Sequence, residues 1–218
     1  DIDFHGPSIP KLLGMEGQML TSDGTSVAPA MFGPLRVVSI DFMLGERTDA
    51  VIWRGPMKAN VARQLLEDVD WGPLKYLVVD SPPGTGDEPL SMAQLIPGEA
   101  GALIVTTAQQ VSTNDVARSI TFCRKLDLPV LGVIENMSGM TCPHCGGFIE
   151  LFGTGGGERL AAKAGVEFLG RIPFDPGVME SGEHGRPFAR YDPDSNSGRA
   201  FSDIVGKLLG IIASRRSS

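Results

Sequence analysis

The chain has 218 residues, with 26 Asp and Glu against 19 Lys and Arg, a formal net charge of −7 and a pI near 5.0. That balance excludes a general binder of nucleic acid or of anionic membranes, both of which call for excess cations. With 42% hydrophobic residues the chain can bury a core as one globular domain over 1–218, and no apolar run reaches the roughly 20 residues of a membrane helix. Three cysteines in an acidic chain without a signal peptide point to a reducing, cytoplasmic compartment.

The opening Asp1-Ile2-Asp3-Phe4-His5-Gly6-Pro7-Ser8 reads as a strand tip and a loop, followed by a short helix over Ile9–Leu13. Leu35, Val37, Val38 and Ile40 form a compact apolar run expected as a strand. Val61, Leu65, Leu66 and Val69 have helical spacing, which predicts a helix from Pro56 to Val69. Tyr76-Leu77-Val78-Val79 ends in Asp80, and such short apolar runs suit strands buried on both faces. Ser81-Pro82-Pro83-Gly84-Thr85-Gly86-Asp87 is a rigid loop, with a helix expected through Leu95.

Ala102–Thr106 repeats the strand pattern, and Ser112–Leu126 the helix pattern. Val130–Ile134 is the next strand, ending at Glu135-Asn136, and a cysteine loop over 137–150 follows. A helix over Glu158–Ala164, a strand over Phe168–Ile172 before Pro173, and an amphipathic helix over Ser197–Ala213 complete the pattern. Strand–helix alternation of this kind predicts an α/β fold, a doubly wound and mostly parallel sheet with helices on both faces. Ligands of such sheets bind at the carboxyl ends of the strands, where Asp80, Asn136 and Pro173 fall.

Asp80 at a strand tip before a Gly-containing loop can hold a Mg²⁺-bound water beside a nucleotide, or it can cap the loop. Asn136 offers a donor and an acceptor to a base edge, although Asn after a strand is commonly a turn residue. No G-x-x-x-x-G-K-[ST] phosphate loop occurs; Gly153–Gly157 leads into Glu158-Arg159 and reads as a flexible turn. Cys142-Pro143-His144-Cys145 places two thiols where both reach one metal or each other. Four uses are open to the pair: a redox couple, a one-chain zinc site, no role, or a four-thiolate site shared between two chains, on zinc or a [4Fe–4S] cluster. Cys123, within a helical run, reads as a small buried hydrophobe, and Trp53 and Trp71 as packing anchors.

Together, Asp1-Ile2-Asp3, Gly6-Pro7-Ser8-Ile9-Pro10, Trp53-Arg54-Gly55-Pro56-Met57, Val79–Asp87, Glu135-Asn136-Met137-Ser138, Cys142–Cys145 and Ile172-Pro173 resemble the Mrp/Nbp35 family of iron–sulfur carrier P-loop ATPases. That family is a branch of the MinD/ParA-like group, with a SIMIBI-like P-loop NTPase fold. The resemblance implies a Walker B role for Asp80 through a Mg²⁺-bound water, and a switch I role for Asp3 near the attacking water, with Asp1 just before it. It implies adenine contacts from Asn136 and the Pro173 backbone. It also implies a [4Fe–4S] cluster bridged by Cys142 and Cys145 across a homodimer and passed to apo iron–sulfur target proteins. Family members carry a first strand, a phosphate loop with two lysines, a helix and a second strand ahead of the Asp-x-Asp. The chain is therefore expected to be N-terminally incomplete and a weak ATPase by itself. The rival readings are a ParA/MinD-like partner-binding ATPase with a dimer-bridging zinc, and a thiol oxidoreductase.

Overall fold

A computed structural model describes residues 1–43, 55–96, 100–142 and 144–216. The chain packs as two compact units, the first of Asp1–Pro97 with Gly182–Arg186 and the second of Gly98–Ser181 with Pro187–Ser218. Trp53 lies outside the described residues, as does Pro143 between the two cysteines.

In the first unit, α1 (Ile9–Leu12) precedes two small antiparallel hairpins, β1 (Thr21–Ser22) with β2 (Val27–Ala28) and β3 (Ala30–Phe32) with β4 (Leu35–Val37). A 3₁₀ turn over Ile40–Met43 follows, then α2 (Gly55–Glu67) and α3 (Asp87–Leu95). The core gathers Ile2, Phe4, Val38 and Ile40 against Ala62 and Leu65 of α2 and Met92 of α3. Trp71 packs on this cluster and donates from its indole N–H to Leu65 O at 3.2 Å, which bears out its role as an anchor. The apolar run Leu35–Ile40 divides: its first half is the edge of a hairpin, and its second half enters the core through Val38 and Ile40.

Tyr76–Asp80 departs from expectation. Ile2 N donates to Asp80 O at 2.9 Å, yet the segment is not a strand, and Val78 is 87% exposed. Apolar composition favours a pleated surface but cannot supply the paired neighbours a strand consists of.

The second unit holds the parallel sheet. Its elements are β5 (Ala102–Thr106), α4 (Gln110–Lys125), β6 (Val130–Glu135), β7 (Met140–Thr141), β8 (Phe148–Ile149), α5 (Gly156–Ala164) and β9 (Phe168–Arg171). After them come α6 (Pro176–Glu183), whose last turn belongs to the first unit, α7 (Phe188–Tyr191) and α8 (Asn196–Arg216). The strand order is β5-β6-β9, with both pairings parallel and Ile104 opposite Val133 and Glu135 opposite Arg171. Successive side chains on a strand face opposite ways. Val133 and Ile104 accordingly pack on Ile120 and Cys123 of α4 and Leu160 and Ala161 of α5. Ile134 and Leu169 pack on Ile204 of α8, with Phe201, Leu208 and Ile211 alongside. Helices thus cover both faces, as the strand–helix alternation requires. Cys123 is buried in this core, and burial pushes its thiol up, which fits the hydrophobe reading.

Candidate functional site

In the first unit, the bond from Ile2 N to Asp80 O lays the Asp1–Asp3 segment beside the loop that Asp80 opens. Asp1 accepts from Asp3 N at 3.2 Å on one carboxylate oxygen, and from Ile9 N at 3.2 Å and Ser39 Oγ at 3.0 Å on the other. Asp3 Oδ1 accepts from His5 N at 3.0 Å and Gly6 N at 3.1 Å. These bonds hold the 1–9 turn by its acidic side chains, the ordinary use of Asp in loops. Asp80 keeps an exposed carboxylate; desolvation by neighbouring atoms pushes it up, and Asp3 adds to the rise. Lys58 of α2 reaches the same turn through His5: its Nζ is 2.9 Å from His5 Nε2 and 2.5 Å from Glu88 Oε1 of α3. Burial pushes Glu88 up, but the hydrogen bond from Lys58 and the nearby charges leave it below its ordinary value.

In the second unit, the segments that carry Asn136 and Pro173 extend the β6–β9 ladder, with Ile172 across from Asn136 and Met137. Ile172 N donates to Glu135 O at 2.8 Å, Ser138 N to Ile172 O at 2.9 Å and Phe174 N to Gly139 O at 2.7 Å. Asn136 N donates to Thr106 O at 2.7 Å, and its side-chain oxygen accepts from Met137 N at 2.9 Å. The side chain therefore serves the turn, as the simpler reading allowed, while its amide nitrogen can still meet a ligand.

The cysteine loop is the turn of a small antiparallel hairpin, with Met140 opposite Ile149 and Thr141 opposite Phe148. Cys142 N donates to Gly147 O at 2.8 Å, and Gly146 N to Cys142 O at 2.9 Å. The turn aims the N–H groups of Cys145 and His144, and secondarily the Cys145 thiol, at the Cys142 sulfur; together they hold its thiol below the usual range. Both thiols are free, Cys142 half-buried and Cys145 exposed. Among the described residues no group of three or more His, Cys, Asp or Glu converges on a metal-sized site. Two neighbouring thiols with no third ligand beside them among the described residues offer half of a four-ligand centre.

Comparison with known proteins fixes the family. The family model described as ParA, NUBPL iron-transfer P-loop NTPase matches residues 1–209. The chain belongs to this family. An iron-sulfur cluster carrier protein of Saccharolobus solfataricus is 47% identical over 99% of the chain and 73% of its own length. The human cytosolic Fe-S cluster assembly factor NUBP2 is 45% identical over 96% of the chain and 79% of its own length. Among solved structures, a nucleotide-binding protein from Archaeoglobus fulgidus in complex with ADP aligns with a TM-score of 0.71 at 37% identity, covering 85% of this chain and 72% of that one. The MinD cell division ATPase of Pyrococcus furiosus, at 22% identity and a TM-score of 0.53 over 74% of this chain and 63% of that one, shares the fold.

Sequence reasoning passed over the group that organises the second unit. Glu135 is fully buried at the end of β6, and its carboxylate accepts from Ser138 Oγ at 2.5 Å, Gly155 N at 2.8 Å and Gly157 N at 2.6 Å. Arg171 Nε stands 3.5 Å away and also pairs with Glu158. Burial pushes Glu135 up, but the Ser138, Gly155 and Gly157 donors and the Arg171 charge outweigh it and hold the carboxyl below its ordinary value. The Gly153–Gly157 run is more than a flexible turn. Gly155 adopts φ +76°, and a Cβ on Gly156 would lie 2.0 Å from Ala108 O, so only glycine lets α5 start against the loop that follows β5. The available signal was a carboxylate closing an apolar strand, with a serine three places on and a glycine triplet downstream.

Proposed function

We propose that the protein is an iron–sulfur cluster carrier whose cargo is a [4Fe–4S] cluster held by Cys142 and Cys145 together with the same two residues of a second copy. The observation that carries this reading is the turn at Cys142, whose N–H groups favour the thiolate that a metal centre needs. Binding releases a proton from each thiol. Transfer is ligand exchange: each iron–sulfur bond to this chain breaks as one to a thiolate of an apo target protein forms, with no net electron movement.

ATP and Mg²⁺ belong to the same proposal. Asp80 would position a Mg²⁺-bound water, Asp3 would lie near the attacking water with Asp1 shaping its turn, and Asn136 and the Pro173 backbone would contact adenine. The phosphate side needs a Gly-rich loop with lysine, and no G-x-x-x-x-G-K-[ST] stands between residues 1 and 218. We assign a cytosolic location, the one named for the human relative; no helix among the described residues is long and apolar enough to cross a membrane.

Anaerobic reconstitution with iron and sulfide tests the reading. Broad absorption in the visible blue, with iron and sulfide in equal amounts, is expected for the parent and absent from the Cys142→Ala, Cys145→Ala double variant. Equal iron in parent and variant would reject it. Zinc without sulfide in the anaerobically purified protein would favour the dimer-bridging zinc instead.

A further inference from the structure

Glu135 joins three segments that the chain order keeps apart. Its two carboxylate oxygens meet the N–H groups of Gly155 and Gly157 at the start of α5. The oxygen that takes Gly155 also takes the hydroxyl of Ser138, which is itself buried. Ser138 stands at the root of the β7–β8 hairpin, where its N–H is bonded to Ile172 O and the next residue's carbonyl receives Phe174 N. Helix starts need donors satisfied, and a carboxylate is good at it. That need is met by the two glycine contacts alone. The serine contact is a separate connection, running from the helix start to the hairpin whose turn carries the cysteines.

Its surroundings make it a rigid connection. Gly157 leaves a Cβ-sized gap filled by Glu135 itself, with Glu135 Cβ 3.1 Å and Thr106 Cγ2 3.2 Å from where a side chain would begin. Gly139, directly after Ser138, has φ +72° and lies under the Phe148 ring, so the hairpin strands close on each other just beyond the serine. A hairpin of two-residue strands has little stability of its own and takes its direction from its root.

We infer that the Glu135–Ser138 hydrogen bond is a positioning device for the cysteine hairpin. It fixes how the hairpin leaves the sheet, and thereby how long Cys142 and Cys145 keep their cluster. The inference rests on the proposed carrier function for its cluster readout, and on the structure alone for its effect on the hairpin.

The test uses the full chain and its Ser138→Ala variant, which removes the hydroxyl while leaving both glycine contacts. Loss of the reconstituted cluster to an excess of iron chelator is followed anaerobically, and amide hydrogen exchange is followed in the cluster-free protein. The expected result is cluster loss faster by on the order of ten-fold, the scale of one hydrogen bond to a buried carboxylate. Faster exchange is expected at the Ser138 and Phe174 amides, with the α5 amides and the melting midpoint little changed. A purely structural loss would instead speed exchange across the whole unit and lower the midpoint. That pattern, or parent-like exchange at Ser138 and Phe174, overturns the inference. If the parent takes up no cluster, the carrier function falls, while the exchange contrast still decides the positioning role. Glu135→Gln, placed with its amide N–H against the Gly157 donor, keeps an oxygen for Ser138 and should speed exchange at Gly157 while Ser138 stays closer to the parent than in Ser138→Ala; exchange at Ser138 as fast as in Ser138→Ala would count against the device.

Discussion

Two carboxylates in this molecule close apolar runs of nearly the same reading, Asp80 after Tyr76–Val79 and Glu135 after Val130–Ile134. Their fates are opposite. Val130–Glu135 has a parallel neighbour on each side, is covered on both faces, and delivers its carboxylate fully buried to three short hydrogen bonds. Tyr76–Asp80 forms no strand, leaves Val78 87% exposed, and ends in an exposed carboxylate with a raised pKa. A carboxylate that closes an apolar run is thus held as a structural clamp where donors surround it, and stays exposed where the run finds no sheet. The difference separates the role we infer for Glu135 from the one we propose for Asp80.

Four substitutions can break or sharpen that contrast. Both tryptophans lie between residues 1 and 97, so tryptophan fluorescence follows the first unit, while far-ultraviolet dichroism follows helices of both. The largest effect is expected from Lys58→Met. It strands Glu88, whose side chain is 7% exposed and 2.5 Å from Lys58, at a cost of about 3–5 kcal/mol seen in urea titration by fluorescence. A loss under 1 kcal/mol would mean that the first unit does not depend on this pair.

Next is Glu135→Gln, expected to cost about 2–3 kcal/mol at neutral pH in urea titration by dichroism. Its pH dependence has a definite sign. Because the folded carboxyl lies below its ordinary value of 4.5, the parent holds this stabilisation above that pH and loses it as pH falls through the lowered folded value. Arg171 from β9, and Glu158 from α5 through Arg171, face the same carboxyl and are unchanged in the variant. The difference between parent and variant should therefore shrink on acidification below about pH 4.5, and a constant difference would show that the carboxyl does not titrate with folding.

Val133→Ala follows, at about 2 kcal/mol, because Val133 is fully buried between α4 and α5 and its loss leaves a cavity. Val78→Thr is the smallest, expected within about 0.5 kcal/mol by fluorescence titration, since this side chain is mostly in water. A loss for Val78→Thr as large as for Val133→Ala would place Tyr76–Asp80 in a buried sheet and remove the contrast.

Much of the second unit was legible. The alternation of apolar runs with 3.6-spaced segments located β5, α4, β6, α5, β9 and α8 to within a few residues, because strands covered on both faces are almost continuously apolar. The hairpins β1–β2, β3–β4 and β7–β8 and the helices α6 and α7 left no comparable signal, being too short for a period to build up. The cysteine pair was readable as two neighbouring thiols from spacing, and the ligands it lacks are the ground for proposing a second copy. The clamp at Glu135 was not readable, because its donors come from residues 138, 155 and 157, brought together only by the sheet and the start of α5.

By itself, then, the sequence determined the α/β class, the parallel sheet, the paired thiols and the family, since these depend on local pattern and on which residues are present. Tertiary structure alone decided which apolar run became a strand, which carboxylate was surrounded by donors, and which glycines had to be glycine. Those outcomes depend on neighbours distant in the chain, and pairing, desolvation and close approach have no expression until such neighbours meet.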